Sequence, residues 1–281
     1  QAKGTFWTVA TLCTLFLSAH LALAALWTAC LQWEAGGAYL YYLVTGILIF
    51  YCLAGTTLIR EVRRVFRAAD RSLEEGRRQV SRIVGRDTSR LSDQEIRTAA
   101  LETLAENLSD GVIAPLFWLY LLGIPGMLTY KMINTMDSML GYRTERFKDF
   151  GRAAARIDDA ANYLPARLTA LLMALAACIP FRQGKSARNL KEELRFIRRY
   201  GRMHASPNSG YPEAALAGIL DCRFGGSHHY FGEYCFKPYI GNRLRPLTTT
   251  DMQQAVAVNR RAEILMVLTG ILLYLLSLIH I

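Results

Sequence analysis

The sequence has no Cys-x-x-Cys pair. Its six cysteines, Cys13, Cys30, Cys52, Cys178, Cys222 and Cys235, stand far apart, and four of them lie within apolar stretches. Cysteine in that setting behaves as a small hydrophobe, so neither a structural zinc site nor a disulfide framework is expected. Long stretches also lack Asp, Glu, Lys and Arg altogether: residues 5–31, 38–59, 111–130 and 264–281 are charge-free runs of 27, 22, 20 and 18 positions. About 20 apolar residues cross the hydrocarbon of a bilayer, so these runs exclude a wholly soluble or disordered chain and define an integral membrane protein. The first run is too long for the apolar core of a signal peptide and has only Lys3 ahead of it, so it is read as a retained span. Repeats, low-complexity tracts and long linkers are missing too. Strand signals are weak, and the expected fold is all-α.

What is present is basic charge, unevenly spread. The 281 residues carry 33 Lys and Arg against 23 Asp and Glu, a net charge of +10. Residues 60–97 hold 11 arginines against seven acids, and residues 182–261 hold 14 more Lys and Arg, whereas the short loop 32–37 holds only Glu34. The positive-inside rule then places 60–97 and 182–261 in the cytoplasm and 32–37 outside. Membrane-facing cytoplasmic loops are basic by default, so no nucleic-acid partner is expected.

The organisation that follows is two spans in 1–59, amphipathic cytoplasmic helices in 60–110, broken or re-entrant segments in 111–181 around a polar loop 131–167, a cytoplasmic region 182–262, and a last span in 263–281. Val62, Val65, Phe66, Ala69, Leu73, Gly76, Val80 and Ile83 recur at helical spacing and predict one amphipathic helix, its stripe lying on the bilayer or on a partner helix. Ser92 and Glu95 form a capping box that opens a helix to about Leu108, on which Glu102 and Glu106 share a face. Pro115, Gly123, Pro125 and Gly126 interrupt the third apolar run and predict a hairpin at 123–126. That hairpin, with 168–181 shallow or re-entrant, keeps both 131–164 and 182–261 inside.

Ionisable groups that enter apolar segments are costly and tend to line functional cavities. Asp110, Asp137, Asp158 and Asp159, interleaved with Asn107, Asn134, Tyr142, Arg143, Arg156, Asn162 and Arg167, suit a hydrated Mg²⁺ ion with phosphate groups: Mg²⁺ takes oxygen ligands and arginine forks onto phosphate. The plainer alternative is a set of solvated helix ends with ion pairs among Arg152, Arg156 and Asp159. A second constellation is the loop His204–Glu213, with Ser206, Asn208 and a helix begun at Pro212. Free N–H groups at that helix start would receive a phosphate, and His204 or Glu213 would move a proton; alone, His204 reads equally as a solvated loop histidine. Around Lys237, the glycines Gly225, Gly226 and Gly241 allow either close approach of a ligand or simple turn chemistry. Gln183-Gly184-Lys185-Ser186 looks like the end of a P-loop, but Ile179 stands where its first glycine belongs, so it implies no nucleotide site.

Residues 105–111 (AENLSDG), 134–143 (NTMDSMLGYR), 158–169 (DDAANYLPARLT), 206–213 (SPNSGYPE) and 237–241 (KPYIG) resemble the motifs of the CobD/CbiB family, cobalamin-biosynthesis membrane proteins that make adenosylcobinamide phosphate. The resemblance runs from about Leu58 to the end. It implies ATP- and Mg²⁺-dependent amide formation between a propionate of adenosylcobyric acid and (R)-1-aminopropan-2-ol phosphate, at a site facing the cytoplasm in the bacterial cytoplasmic membrane. Other membrane enzymes of cobalamin assembly are implied as partners. Asp137, Asp158, Asp159, His204 and Glu213 become the catalytic candidates, and Asp110, Asp137, Asp158 and Asp159 the metal candidates. Asn107, Asn134, Tyr142, Arg143, Arg156, Asn162, Arg167, Ser206, Asn208 and Lys237 become the substrate contacts, with Trp118, Tyr142 and Tyr163 as an aromatic surface for the corrinoid. Family members begin with a further apolar segment carrying Gly-Asp-Pro…His-Pro, and the expectation is that such a segment precedes Gln1. The alternative class is a non-catalytic membrane protein, either a transporter or a sensor of the related β-lactamase-induction family.

Overall fold

The computed structural model describes the backbone of residues 2–33, 36–140, 148–180, 189–230 and 233–279. In chain order these form α1 (Ala2–Leu31), α2 (Gly37–Cys52), α3 (Gly55–Arg71), α4 (Leu73–Val80), α5 (Asp93–Leu108), a π-helical turn Ser109–Ile113, α6 (Ala114–Leu140), α7 (Lys148–Ala161), α8 (Tyr163–Ala177), α9 (Leu190–Tyr200), α10 (Gly210–Leu220), β1 (Phe224–Tyr230), β2 (Glu233–Ile240) and α11 (Thr249–Ile279). Among the described residues the regular elements are helices except for one antiparallel hairpin, β1–β2, which weak strand signals did not announce. Among the described residues three stretches, Thr5–Leu31, Gly37–Arg71 and Asp93–Met139, are long and apolar enough to cross a membrane, and Gly151–Ala161 with Tyr163–Ala177 is an apolar pair bent by 45°, the form of a broken span or a re-entrant loop. This is a polytopic membrane architecture. The apolar end of α11 exposes Ile264, Val267, Leu268 and the side chains from Ile271 to Leu276, while Met266 is buried.

The chain divides into two units, residues 1–54 with 110–162, and residues 55–109 with 163–281. In the first, α1 and α2 meet so closely that a Cβ at Gly37 would lie 1.8 Å from the Cys30 carbonyl oxygen. Their outer faces present Trp7, Leu17, Leu21, Phe50 and Tyr51, all exposed, as suits lipid contact. The hairpin in α6 is real. Gly123 takes φ 66°, ψ −163°, a conformation open to glycine, and the helix reverses there. Ala114 consequently packs with Tyr130, although 16 residues of straight helix would separate them by about 24 Å. A Cβ at Gly126 would sit 2.9 Å from the Trp118 carbonyl oxygen, so this glycine is what lets the two arms touch. The apolar arm from Gly111 to Leu122 is about 18 Å long, short of the roughly 30 Å of hydrocarbon, so this arm alone does not reach across it.

In the second unit the expected single amphipathic helix is two. Ser72 ends α3 and caps α4 by accepting the Glu75 N–H at 3.2 Å. The chain folds back, bringing the Gln79 amide to within 2.8 Å of Glu61. Val62, Val65, Phe66 and Val80 are fully buried, and α3 and α4 both pack on α5, so the stripe faces a partner helix and not lipid. Burial of such side chains contributes roughly 1.5–3 kcal/mol each. The Ser92–Glu95 capping box is formed, with the Ser92 N–H donating to Glu95 at 2.8 Å. At the other end of this unit Arg245 grips Asp251 through two bonds of 2.9 and 2.7 Å, and Asp251 also accepts the Thr248 N–H, which fixes the start of α11. The free cysteines described, Cys13, Cys30, Cys52, Cys178 and Cys222, form no disulfide.

Candidate functional site

In the second unit α5, the turn before α10, α10 itself and β2 bring an acid–base network together. Glu213, in the first turn of α10, is wholly buried. Its Oε1 accepts from the Lys237 ammonium of β2 at 2.9 Å, while its Oε2 is buried without a hydrogen-bond partner. Lys237 also donates to Glu102 Oε1 at 3.3 Å, and Glu102 in turn accepts from buried Arg86 at 2.9 Å and from the Gly225 N–H at 2.8 Å. That N–H is available because the register slips between Phe224 and Gly226, leaving Gly225 outside the strand ladder. Glu106, one turn along α5 from Glu102, accepts from Ser209 Oγ at 2.8 Å.

His204 closes the network. Its Nδ1 accepts the Ser206 N–H at 2.9 Å, so the ring proton stands on Nε2, which lies 3.8 Å from Glu213 Oε1. Burial and the Lys237 charge hold this histidine below its ordinary value, in the neutral form. Burial pushes the Glu213 carboxyl up to about 8, with the Glu102 charge adding to the rise against the pull of Lys237. For Lys237 burial opposes the charge, but Glu102 and Glu213 outweigh it and hold the ammonium above its ordinary value. Glu102 has Arg86 as well as Lys237 to balance its charge, and Glu213 keeps its proton near neutrality. A buried carboxyl that titrates close to neutral pH, beside a neutral histidine and a fixed cation, can give or take a proton.

The first unit holds a second polar group. Asn162 is buried, its Nδ2 donating to Asp158 at 3.0 Å and its Oδ1 accepting from the Tyr130 hydroxyl at 2.8 Å. The one-turn spacing of Asp158 and Asn162 is thus a formed contact. Asn134 and Asp137 face the same Asp158 carboxylate, and Asp110 acts on Tyr130 together with Asp158. Asp158 Oδ1 is buried with no hydrogen-bond partner. Asp159 is half-buried beside this group, and Arg156 is exposed on α7. Among the described residues no group of three or more His, Cys, Asp or Glu is arranged to hold a metal ion.

Several expectations change. The α10 helix begins at Gly210, two residues before Pro212, because Gly210 packs against Gly201, where a Cβ would come within 2.5 Å of the carbonyl oxygen. The turn's donors face inward: the Asn208 and Ser209 N–H groups bond Ser206 Oγ at 3.2 and 3.4 Å, so with Ser206 bonded to His204 they do not form a phosphate cradle. Arg167 is sandwiched between the rings of Tyr163 and Tyr211, 3.5 and 4.2 Å from their centroids, and donates to Asn208 Oδ1 and the Pro207 carbonyl; it braces the turn. Asn107 bonds back to the Thr103 carbonyl on its own helix. Gly225, Gly226 and Gly241 are positive-φ residues approached by the hairpin's own chain, with Pro238, Tyr239 and Cys222 where a Cβ would stand. Trp118 lines an apolar cavity with Tyr130 in the first unit, and Tyr163 is taken by Arg167 in the second. Tyr142, Arg143 and the Gln183–Ser186 stretch lie outside the described residues. Sequence reasoning did not nominate Glu102, Glu106 or Arg86, and the one available signal was the shared face of the two glutamates.

The fold and network define a polytopic helical membrane protein with a buried acid–base cluster in its second unit. The chain belongs to the CobD/CbiB family: the model of the CobD/Cbib protein matches residues 1–259. It is 47% identical over 248 residues to the "Cobalamin biosynthesis protein CobD" of Geobacter metallireducens, covering 86% of this chain and 76% of that one. It is 43% identical over 254 residues to the protein of that name from Streptococcus sanguinis (89% and 77%), and 45% over 221 residues to that of Klebsiella pneumoniae (78% and 67%). No solved structure matches.

Proposed function

We propose that this protein is the amide-forming enzyme of cobalamin biosynthesis that joins (R)-1-aminopropan-2-ol phosphate to a propionate of adenosylcobyric acid, giving adenosylcobinamide phosphate at the cytoplasmic face of the bacterial inner membrane. The observation that carries the reading is the Glu213–Lys237–Glu102 cluster with His204 aimed at Glu213, together with family membership. An ammonium must lose a proton before its nitrogen can attack an acyl carbon. Once ionised, Glu213 is the base for that step, Lys237 stabilises its charge, and the Nε2–H of the neutral His204 ring faces the carboxylate and orients it. Glu102 and Arg86 keep Lys237 and the hairpin in place.

A carboxylate becomes an acyl donor only when its oxygen can leave, and MgATP supplies that activation by phosphoryl or adenylyl transfer. Asp158 offers a buried carboxylate oxygen without a partner, with Asp137 and Asp110 near, which fits one cation held by one or two carboxylates and completed by phosphate and water. In this reading Asp158, with Asp137 or Asp110, holds Mg²⁺, and Asn162 and Tyr130 orient Asp158. The test is ATP hydrolysis by the full chain in lipid vesicles. Hydrolysis that needs both adenosylcobyric acid and aminopropanol phosphate supports the proposal; hydrolysis independent of either, or none with both, refutes it.

A further inference from the structure

The four arginines that follow the apolar run 38–59 are not scattered. Arg60, Arg63, Arg64 and Arg67 of α3 and Arg260 of α11 line one pocket of about 400 Å³, floored by Thr56 and Ile59. Arg260 donates to Thr56 Oγ1 at 3.2 Å, which ties the two helices across it. Only two of the five guanidiniums are neutralised: Arg64 pairs with Glu61 at 2.5 Å and Arg260 with Glu263 at 3.0 Å. Arg60, Arg63 and Arg67 have no acidic partner among the described residues. They stand three and four apart on one exposed helix face, where like charges repel. α3 keeps that face while burying Val62, Val65 and Phe66 on the other, so the repulsion is built into a packed helix. The acid–base cluster of the proposed reaction uses none of these residues.

We propose that this pocket binds a phosphate-bearing anion at the membrane boundary. Guanidinium forks match phosphate oxygens in pairs, and several converging on one cavity select a group with more than one charged oxygen. Arg60 directly follows a charge-free run, and basic residues at the end of such a run are attracted to anionic headgroups. Its lining has no aromatic ring to stack a base, so the ligand is recognised through phosphate alone. Two sources share that chemistry, an anionic phospholipid and a soluble phosphate.

The test measures thermal unfolding of the full chain in neutral detergent. The ligands, at matched ionic strength, are dihexanoyl phosphatidylglycerol, glycerol 3-phosphate and inorganic phosphate, with dihexanoyl phosphatidylcholine as the uncharged-headgroup control. The proposal expects a saturable rise in Tm with at least one anion and none with the control. A rise with the lipid only identifies a headgroup site; a rise with the soluble phosphates identifies a free-phosphate site. Arg63→Gln and Arg67→Gln each remove a side chain with no ionic partner, so they should fold, and each should weaken the apparent affinity about tenfold or more. Arg78→Gln, on exposed α4 surface away from the pocket, should not. No anion raising Tm, or equal affinity in all three variants, overturns the proposal.

Discussion

Glu213 shows how a single side chain couples stability to proton handling. Its carboxyl titrates near 4.5 in an unfolded chain and at about 8 in the fold. Between those values the folded protein holds a proton that the unfolded chain has released, so this group makes stability fall as pH rises from about 4.5 to 8. Glu213→Gln keeps the volume and removes the titration. Thermal unfolding at pH 5, 6.5 and 8 should show a shallower decline in that variant than in the wild type, and parallel curves would show that Glu213 does not carry the slope. Gly225 makes a different point. Its φ is +86°, and a Cβ added there would lie 2.3 Å from the Pro238 carbonyl oxygen, which leaves no room for alanine. Gly225→Ala should cost at least about 1–2 kcal/mol from the backbone alone and shift the N–H that Glu102 accepts. An unchanged Tm and an intact activity would contradict that role.

Among the elements, legibility follows the kind of signal. The spans were readable because charge-free runs are local, and the reversal at 123–126 because glycine and proline mark it in sequence. The break at Ser72 was not, since the apolar stripe continues through it at helical spacing and only the fold-back onto α5 splits it. The β1–β2 hairpin was hidden by its composition, as Gly225 and Gly226 interrupt the alternation that announces a strand. His204 and Glu213 could be nominated from chemistry alone, and Lys237 only from the family resemblance. Arg86 and Glu102 could not be joined to them, because Glu102 and Lys237 meet across 135 residues. The α6 reversal is directly measurable. Spin labels at Phe117 and Thr135 would lie about 27 Å apart on a straight helix, and the hairpin brings them well under about 20 Å. A distance near the straight-helix value would remove the re-entrant segment.

At the scale of the whole molecule, the first unit carries exposed apolar helix surface and a buried carboxylate–amide group, and the second carries the buried acid–base cluster. The charge pattern puts 25 of the 33 basic residues in 60–97 and 182–261, and the proposed use of ATP requires a site open to the ATP pool. Cysteines introduced at the exposed positions Arg78 and Arg198 should both react with an impermeant thiol reagent from the cytoplasmic side only, and labelling of Arg198→Cys from outside would reverse the orientation. The central claim is that the buried Glu213 cluster carries out amide formation. It is tested most directly by mass-spectrometric detection of adenosylcobinamide phosphate made by the full chain in vesicles from adenosylcobyric acid, aminopropanol phosphate and MgATP, with wild type and Glu213→Gln side by side. The account predicts product from the wild type and a loss of about a hundredfold or more in the variant, the scale of a removed general base. Near-wild-type product from Glu213→Gln would contradict it.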